Sequence, residues 1–283
     1  MLTTFDDILT SLVYLASCFI IFMIGKFVYQ LFHKDIDVKN ELVEKDNFAF
    51  AVAHTGYFIG LLFAIGSAII GPSAGMRQDL IDIFSYGLLG IILLNLSIII
   101  NDKIILRKFS VTKEIIEDKN TGTGVIEAAN AVATGLIILG ALSGEGGSYL
   151  TAIVFWLIGQ VLLFVVSIIY NLITPYNIHE HIEKDNVAVG VGFSGAIVAI
   201  GVLIWFALSP DFIDWQTSLM NLLVDVVIGL VLLPIVRIVT DKILLPGRKL
   251  TDEIVNQEKP NVGVALIEAF AYIGGAVFIT WCL

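Results

Sequence analysis

The sequence predicts an all-α integral membrane protein with eight transmembrane helices, arranged as two parallel four-helix repeats. Three observations predict this fold. The chain has 283 residues, of which 57% are hydrophobic and only 15% are charged, and such a composition excludes an ordinary soluble domain. The apolar residues form long runs that are separated by charged or glycine-rich connections. Several polar motifs that flank these runs occur twice, in the same order.

Eight apolar runs are long enough to be spans, since a helix needs about 20 residues to cross a hydrocarbon core of about 30 Å. Helices are predicted because lipid offers no hydrogen-bond partner to an open backbone. The first run follows Asp6 and Asp7 and is too long for a cleaved signal, so we expect a retained span. The predicted spans are Ile8–Phe32, Asn47–Ile70, Leu80–Leu106, Thr123–Leu142, Tyr149–Ile173, Asn186–Leu208, Trp215–Val239 and Val262–Cys282.

The distribution of charge predicts an orientation. Nearly all lysines and arginines fall in the loops after the first, third, fifth and seventh spans, and the opposite loops contain Arg77 alone. The positive-inside rule therefore predicts that both termini lie outside and that the longer loops face the cytoplasm. Trp156, Trp205, Trp215 and Trp281 lie near the outer ends of spans and are interpreted as an interfacial aromatic belt. The formal net charge is −10, and the sequence has no basic region of the kind that binds nucleic acid.

An internal duplication is predicted, with a first repeat at 1–143 and a second at 144–283. The sequence Glu44-Lys-Asp-Asn47 returns as Glu183-Lys-Asp-Asn186. The sequence Asp102-Lys-Ile returns as Asp241-Lys-Ile at the same spacing. Each repeat holds four spans, an even number, so both copies have the same orientation and the repeat is parallel.

An acidic motif also occurs twice, near the start of the fourth and eighth spans. Asn120-Thr-Gly-Thr-Gly-Val-Ile-Glu127-Ala returns as Asn261-Val-Gly-Val-Ala-Leu-Ile-Glu268-Ala. Only about 22 Å of helix follows Glu268, so a complete crossing places this carboxylate inside the membrane boundary. Two interpretations stay open. Each glutamate either reaches back to water from the first turns of its helix, or belongs to a protonatable or cation-binding site in an internal cavity.

Other polar residues extend this candidate site. Asn130 in the fourth span and Asp225 deep in the seventh join the glutamates in a predicted ion or proton site, although a structural hydrogen bond explains Asp225 equally well. Acidic and amide residues at the cytoplasmic ends of spans are predicted first as helix caps and then as a vestibule that leads to the glutamates. The vestibule residues are Asp46, Asn47, Asp185, Asn186, Asp102, Asp241, Asn120 and Asn261.

The order and spacing of these motifs resemble the YjfL-like family of inner-membrane proteins, the domain of unknown function 350. The resemblance rests on K-D-N at the second span, D-K-I at the third and N-x-G-x-x-x-I-E-A at the fourth, and two tandem copies cover nearly the whole chain. It implies a bacterial inner-membrane location but no assigned activity. Relatives are discussed alongside membrane-stress proteins, which implies cytoplasmic stress-response partners.

Two functional hypotheses therefore stay open. The first is a small-ion, proton or solute pathway in which Glu127 and Glu268 titrate or coordinate. The second is a non-catalytic scaffold that recruits stress-response partners. Gly122-Thr-Gly124 lacks the lysine of a phosphate loop, and we find no other enzyme motif. The sequence therefore predicts no catalytic residue, no cofactor and no metal site. The expected partners are the lipid bilayer, further copies of the chain and cytoplasmic proteins.

Overall fold

The computed structural model describes residues 5–104, 110–245 and 247–283. Within them all regular elements are helical, and eight helices are long and apolar enough to span a membrane, which confirms the predicted fold class. The predicted end of the third span, at Leu106, lies outside the described residues. The eight helices are α1 (Phe5–Phe32), α2 (Phe48–Gly66), α3 (Met76–Ile104), α5 (Thr121–Ser143), α6 (Tyr149–Ile173), α8 (Val187–Leu208), α9 (Trp215–Val239) and α11 (Val262–Cys282).

Short helical elements lie in connections for which the sequence predicts loops. They are a π-helical turn at Asn40–Glu44 and the helices α4 (Val111–Ile116), α7 (Ile178–Glu183) and α10 (Leu250–Ile254). Ile115, Ile182 and Ile254 are buried in these elements. The short helices therefore pack into the bundle through apolar side chains, and they fix the end at which the next span begins.

The chain consists of four successive units, two in each predicted repeat. Each unit has a long first helix, a short element and a second helix. The second helices α2, α5, α8 and α11, here called the core helices, pack side by side in that order. The first helices α1, α3, α6 and α9, here called the cover helices, form a second layer against them. All core helices begin at one end of the bundle, here called the cap end.

Glycine lets the core helices touch along their backbones. A Cβ atom added to Gly56 would lie 2.2 Å from Cα of Ala128, and one added to Gly195 would lie 2.3 Å from Cα of Ala269. Apolar burial gives little driving force between helices in lipid, so close van der Waals contact has to hold such a row together. The core row therefore depends on the absence of a side chain at Gly56 and Gly195.

The outward face of α11 carries a large residue. Counted from the asparagine that precedes each core helix, Phe270 stands where α2 has Gly56 and α8 has Gly195. Its side chain is 66% exposed. A further helix could therefore not approach this face of α11 as closely as the core helices approach each other.

The interpretation of Trp156 as an interfacial residue is wrong. Trp156 is buried, and its indole N–H donates a 2.7 Å hydrogen bond to Oγ of Ser97 on α3. The ring faces the neighbouring cover helix because α6 packs against α3 on that side. Trp215 and Trp281 are exposed, as an interfacial position requires.

Candidate functional site

An asparagine caps each core helix. The side-chain oxygen accepts a hydrogen bond from the backbone N–H three residues on, at 2.9–3.2 Å, and the capping residues are Asn47, Asn120, Asn186 and Asn261. The structure thus confirms the capping of these helices by asparagine. Asp46 and Asp185 are not caps; they precede the caps in the left-handed backbone region, at φ 48° and 54°.

The same asparagines connect each unit to the next. Their amide groups donate to backbone carbonyls of the following short helix, in the pairs Asn47–Ile115 (2.9 Å), Asn120–Ile182 (2.7 Å) and Asn186–Ile254 (3.0 Å). Asn261, in the last unit, donates to Glu253 at 3.1 Å. The geometry gives these asparagines a structural role. Their role in a vestibule stays a prediction.

Buried carboxylates support three of the four caps. Asn47 donates to Glu41 at 2.9 Å and Asn120 donates to Glu114 at 2.8 Å, as Asn261 does to Glu253. In the third unit His181 takes the corresponding place, since its carbonyl accepts from the backbone N–H of the capping residue. Burial lowers the pKa of His181 and favours its neutral form, and among the described residues the side-chain amide of Asn186 donates to Ile254 alone.

Glu127 faces a second carboxyl group inside the first repeat. It is 8% exposed and lies on a buried polar stripe of α5 with Thr123, Asn130 and Thr134. The carboxyl groups of Glu127 and Asp102, from α5 and α3, lie within hydrogen-bonding reach of each other. The structure therefore brings together three of the predicted site residues, because Asn130 lies beside Glu127.

The carboxyl pair has no cationic partner in the described part of the chain. No lysine or arginine among those residues forms an ion pair with Asp102 or Glu127. Atom Oε2 of Glu127, Oδ1 of Asp102 and both polar side-chain atoms of Asn130 are buried without a hydrogen-bond partner there. Such atoms are unfavourable unless something binds them, so the pair has unused capacity for a proton or an ion.

One aromatic residue of α1 lies near the pair, and a second aromatic ring packs against it. Tyr29 lies near Glu127, and its ring packs edge-on against His54 with 4.7 Å between the centroids. Lys26, Tyr29 and His54 line a cavity of about 300 Å³.

Glu268 in the second repeat has a different environment. Its side chain is completely buried, and Nη1 of Arg237 on α9 lies 2.8 Å from its Oε1. The Tyr170 hydroxyl donates to the same oxygen at 3.4 Å. Asp241, the counterpart of Asp102, accepts a 2.6 Å hydrogen bond from the backbone N–H of Leu250, the first residue of α10. Asp241 thus has the partner that its position at a helix end predicts.

The two glutamates lie in separate clusters. The core helix α8 packs between α5 and α11, which carry Glu127 and Glu268. Asp225 joins neither cluster: it lies about 18 Å along α9 from Arg237, half-buried and without a hydrogen bond or ion pair to the described residues. The structure does not bring Asp225 to the predicted site.

Sequence analysis missed both carboxyl partnerships, although a signal for them was present. Arg237 stands one helical turn before Asp241, and Ile98 stands one turn before Asp102. Residues four apart share a helix face, so an arginine on the face of a motif carboxylate indicates an ion pair with a neighbouring helix. The same position in the first repeat offers no charge.

Comparison with known proteins identifies the family. The profile described as Domain of Unknown Function (DUF350) matches residues 3–142 and again residues 146–283. The chain belongs to this family, as two tandem copies. This DUF350 protein is also similar to a UPF0719 transmembrane protein of Aquifex aeolicus (strain VF5), with 26% identity over 263 residues that cover 90% of this chain and 93% of the relative. No solved structure matches the chain. The resemblance on sequence motifs is confirmed, and the protein is a multi-pass membrane protein of an uncharacterised family.

Proposed function

We propose that this DUF350 protein is a proton or small-cation pathway across the bacterial plasma membrane and that Asp102 and Glu127 form its exchangeable site. The observation that carries the proposal is the meeting of two carboxyl groups, the buried Glu127 and the half-buried Asp102, that no cation among the described residues neutralises. Two carboxylates so close in a medium of low dielectric cannot both stay ionised, so the pair retains a proton or a bound cation.

The ligand set favours a proton. A hard metal cation takes six or more oxygen ligands, whereas a shared proton needs only the two carboxyl groups. Beside the pair, the nearby described side-chain oxygens belong to Asn130 and Thr123, on the same face of α5. No group of three or more histidine, cysteine or acidic residues suited to a metal occurs in the described ranges. A proton is therefore the ion that the pair can hold without further ligands.

Buried polar residues continue from the pair toward the middle of the bundle. Asn101 on α3 donates to the Thr134 hydroxyl of α5 at 3.5 Å. Deeper along α3, Asn95 donates to the Tyr57 hydroxyl at 3.2 Å, and this hydroxyl donates to the carbonyl of Gly25 at 2.9 Å. Polar groups inside a membrane protein most often line substrate or ion routes, which supports a route through the first repeat.

An acidic cavity at the other end of the same repeat supports the route. It has a volume of about 300 Å³ and is lined in part by Asp79, Asp82 and Glu145. In the orientation that the basic loops favour, this cavity faces outside and the cap end lies in the cytoplasm. The cavity would attract cations to the outer end of the first repeat.

Reconstitution into liposomes tests the proposal. A potassium diffusion potential is imposed and proton entry is followed with an enclosed pH-sensitive dye. We expect wild-type flux to fall at least tenfold in Glu127→Gln and in Asp102→Asn. Asp225→Asn, which makes the same chemical change on α9 away from the pair, should keep the flux. Wild-type liposomes no more permeable than empty ones, or full flux in Glu127→Gln, would contradict the pathway and leave the scaffold hypothesis.

A further inference from the structure

The second repeat contains the counterpart of the carboxyl pair with a cationic side chain added. Arg237 approaches Glu268 to 2.8 Å, and the side chains are only 12% and 0% exposed. A guanidinium that is fixed against a buried carboxylate forms a charge-assisted hydrogen bond and favours the ionised form of the carboxylate. The glutamate of the second repeat thus already has its cation.

Several neighbours hold this arginine and glutamate in place. A Cβ atom on Gly192 would lie 2.4 Å from Oε2 of Glu268, so glycine leaves room for the carboxylate beside α8. The other guanidinium nitrogen of Arg237 donates to the Thr251 hydroxyl at 3.5 Å, and its carbon lies 6.0 Å from the centre of the Tyr176 ring. Burial, followed by the nearby Glu268 charge, raises the pKa of Tyr176 to about 12, so this ring stays neutral beside the cation.

The first repeat lacks the corresponding cation because of one residue. Ile98 is buried on α3, one turn before Asp102, where α9 has Arg237 one turn before Asp241. The aspartates differ as well. Asp241 is turned to the first N–H of α10, whereas Asp102 faces Glu127. The two repeats thus place a glutamate at the same position and neutralise it in different ways.

We infer that Arg237 is a tethered cation that permanently fills the site of the second repeat, so that only the Asp102–Glu127 site of the first repeat exchanges its proton or ion. This inference takes the exchanging site from the proposed function. The occupancy of Glu268 by Arg237, in contrast, is independent of any flux. The sequence predicts that both glutamates titrate, whereas we now expect Glu127 alone to do so.

A hydrophobic carbodiimide distinguishes the two glutamates. The reagent takes the proton of a carboxylic acid on nitrogen, and the carboxylate oxygen adds to its central carbon, so the adduct forms without a leaving group or co-reactant. An ionised carboxylate in an ion pair does not react in this way. Dicyclohexylcarbodiimide is added to the full-length protein in liposomes, and the adducts are located by peptide mass spectrometry. We expect Glu127 to be labelled at least tenfold faster than Glu268.

Two substitutions make the test decisive. Arg237→Met should expose Glu268 to labelling at a rate close to that of Glu127, and Arg237→Lys, which keeps the positive charge, should not. Ile98→Arg should protect Glu127 and provides the converse test in the other repeat. The inference would be overturned if Glu268 in the wild type were labelled at the rate of Glu127. It would also be overturned if Glu268 stayed unlabelled in Arg237→Met and the labelling of Glu127 were unchanged in Ile98→Arg. The expected labelling without any proton flux would overturn the proposed function alone.

Discussion

The side-chain amide of Asn120 donates a 2.7 Å hydrogen bond to the carbonyl of Ile182, which belongs to the next unit of the chain. The same side chain caps α5. We expect Asn120→Ala to lower the free energy of unfolding by about 3–5 kcal/mol, since the lost cap and the lost hydrogen bond to Glu114 each cost about 1 kcal/mol and a buried unpaired carbonyl costs about 1–3 kcal/mol. Reversible unfolding in detergent micelles measures this change.

Asn261→Ala is the matched control for this prediction. Asn261 caps α11 in the same way, but its amide donates to Glu253 and not to a following unit. Its removal should cost about 1–2 kcal/mol, because one cap and one side-chain hydrogen bond are lost. Equal losses for the two variants would show that the contact between units adds nothing to stability.

Gly56 tests the close packing of the core helices. In Gly56→Ala the new methyl group would overlap the backbone of Ala128, so we expect a loss of about 1–3 kcal/mol in stability and a lower unfolding temperature. Gly66→Ala, in the same helix, is the control, since its nearest neighbour would be Cδ1 of Leu139 at 4.0 Å. This control should be neutral or slightly stabilising, because alanine is the better helix former. A stable Gly56→Ala variant would show that α2 and α5 can separate without cost.

Glu41 gives the cap end a dependence on pH. Burial alone would raise its pKa, but hydrogen bonds from Lys45 and Asn47 and the charge of Lys119 hold the pKa of Glu41 below its ordinary value. A depressed pKa stabilises the folded state at neutral pH, and this stabilisation is lost as the pH falls from about 4.5 through the folded value. Unfolding temperatures measured from about pH 7 down to about pH 3 should therefore fall at the acid end.

The variant Glu41→Gln should show lower stability at neutral pH and a flatter dependence at the acid end. Glu44→Gln provides the control, because Glu44 lies in the same turn but is exposed. An identical effect of the two substitutions would remove Glu41 as the source of the pH dependence.

The spans and the duplication were predictable because both depend on local pattern. The runs Tyr149–Ile173, Trp215–Val239 and Val262–Cys282 are helices with the predicted bounds, since membrane burial requires continuous apolar sequence between polar ends. The caps at Asn120 and Asn261 were predictable for the same reason, as the capping hydrogen bond is local.

The four-unit organisation was missed although the sequence contains its signal. An acidic residue and a lysine precede every capping asparagine. Two of the four copies differ from Glu-Lys-Asp-Asn, namely Asp118-Lys-Asn120 and Glu258-Lys-Pro-Asn261, so a comparison of the two longer repeats does not reveal them. The partners of Glu127 and Glu268 are harder to predict. These partners come from other helices, α3 and α9. Which side chains meet across two helices depends on how each helix is rotated in the bundle, and a single sequence does not determine that rotation.

Infrared difference spectroscopy tests the central claim, that Asp102 and Glu127 hold an exchangeable proton. Spectra of the protein in lipid are recorded as the pH is raised, in water and in deuterium oxide. We expect a carbonyl stretching band of a protonated carboxylic acid that disappears at high pH, shifts in deuterium oxide, is absent in Glu127→Gln and persists in Asp225→Asn. The same band at full intensity in Glu127→Gln would contradict this claim.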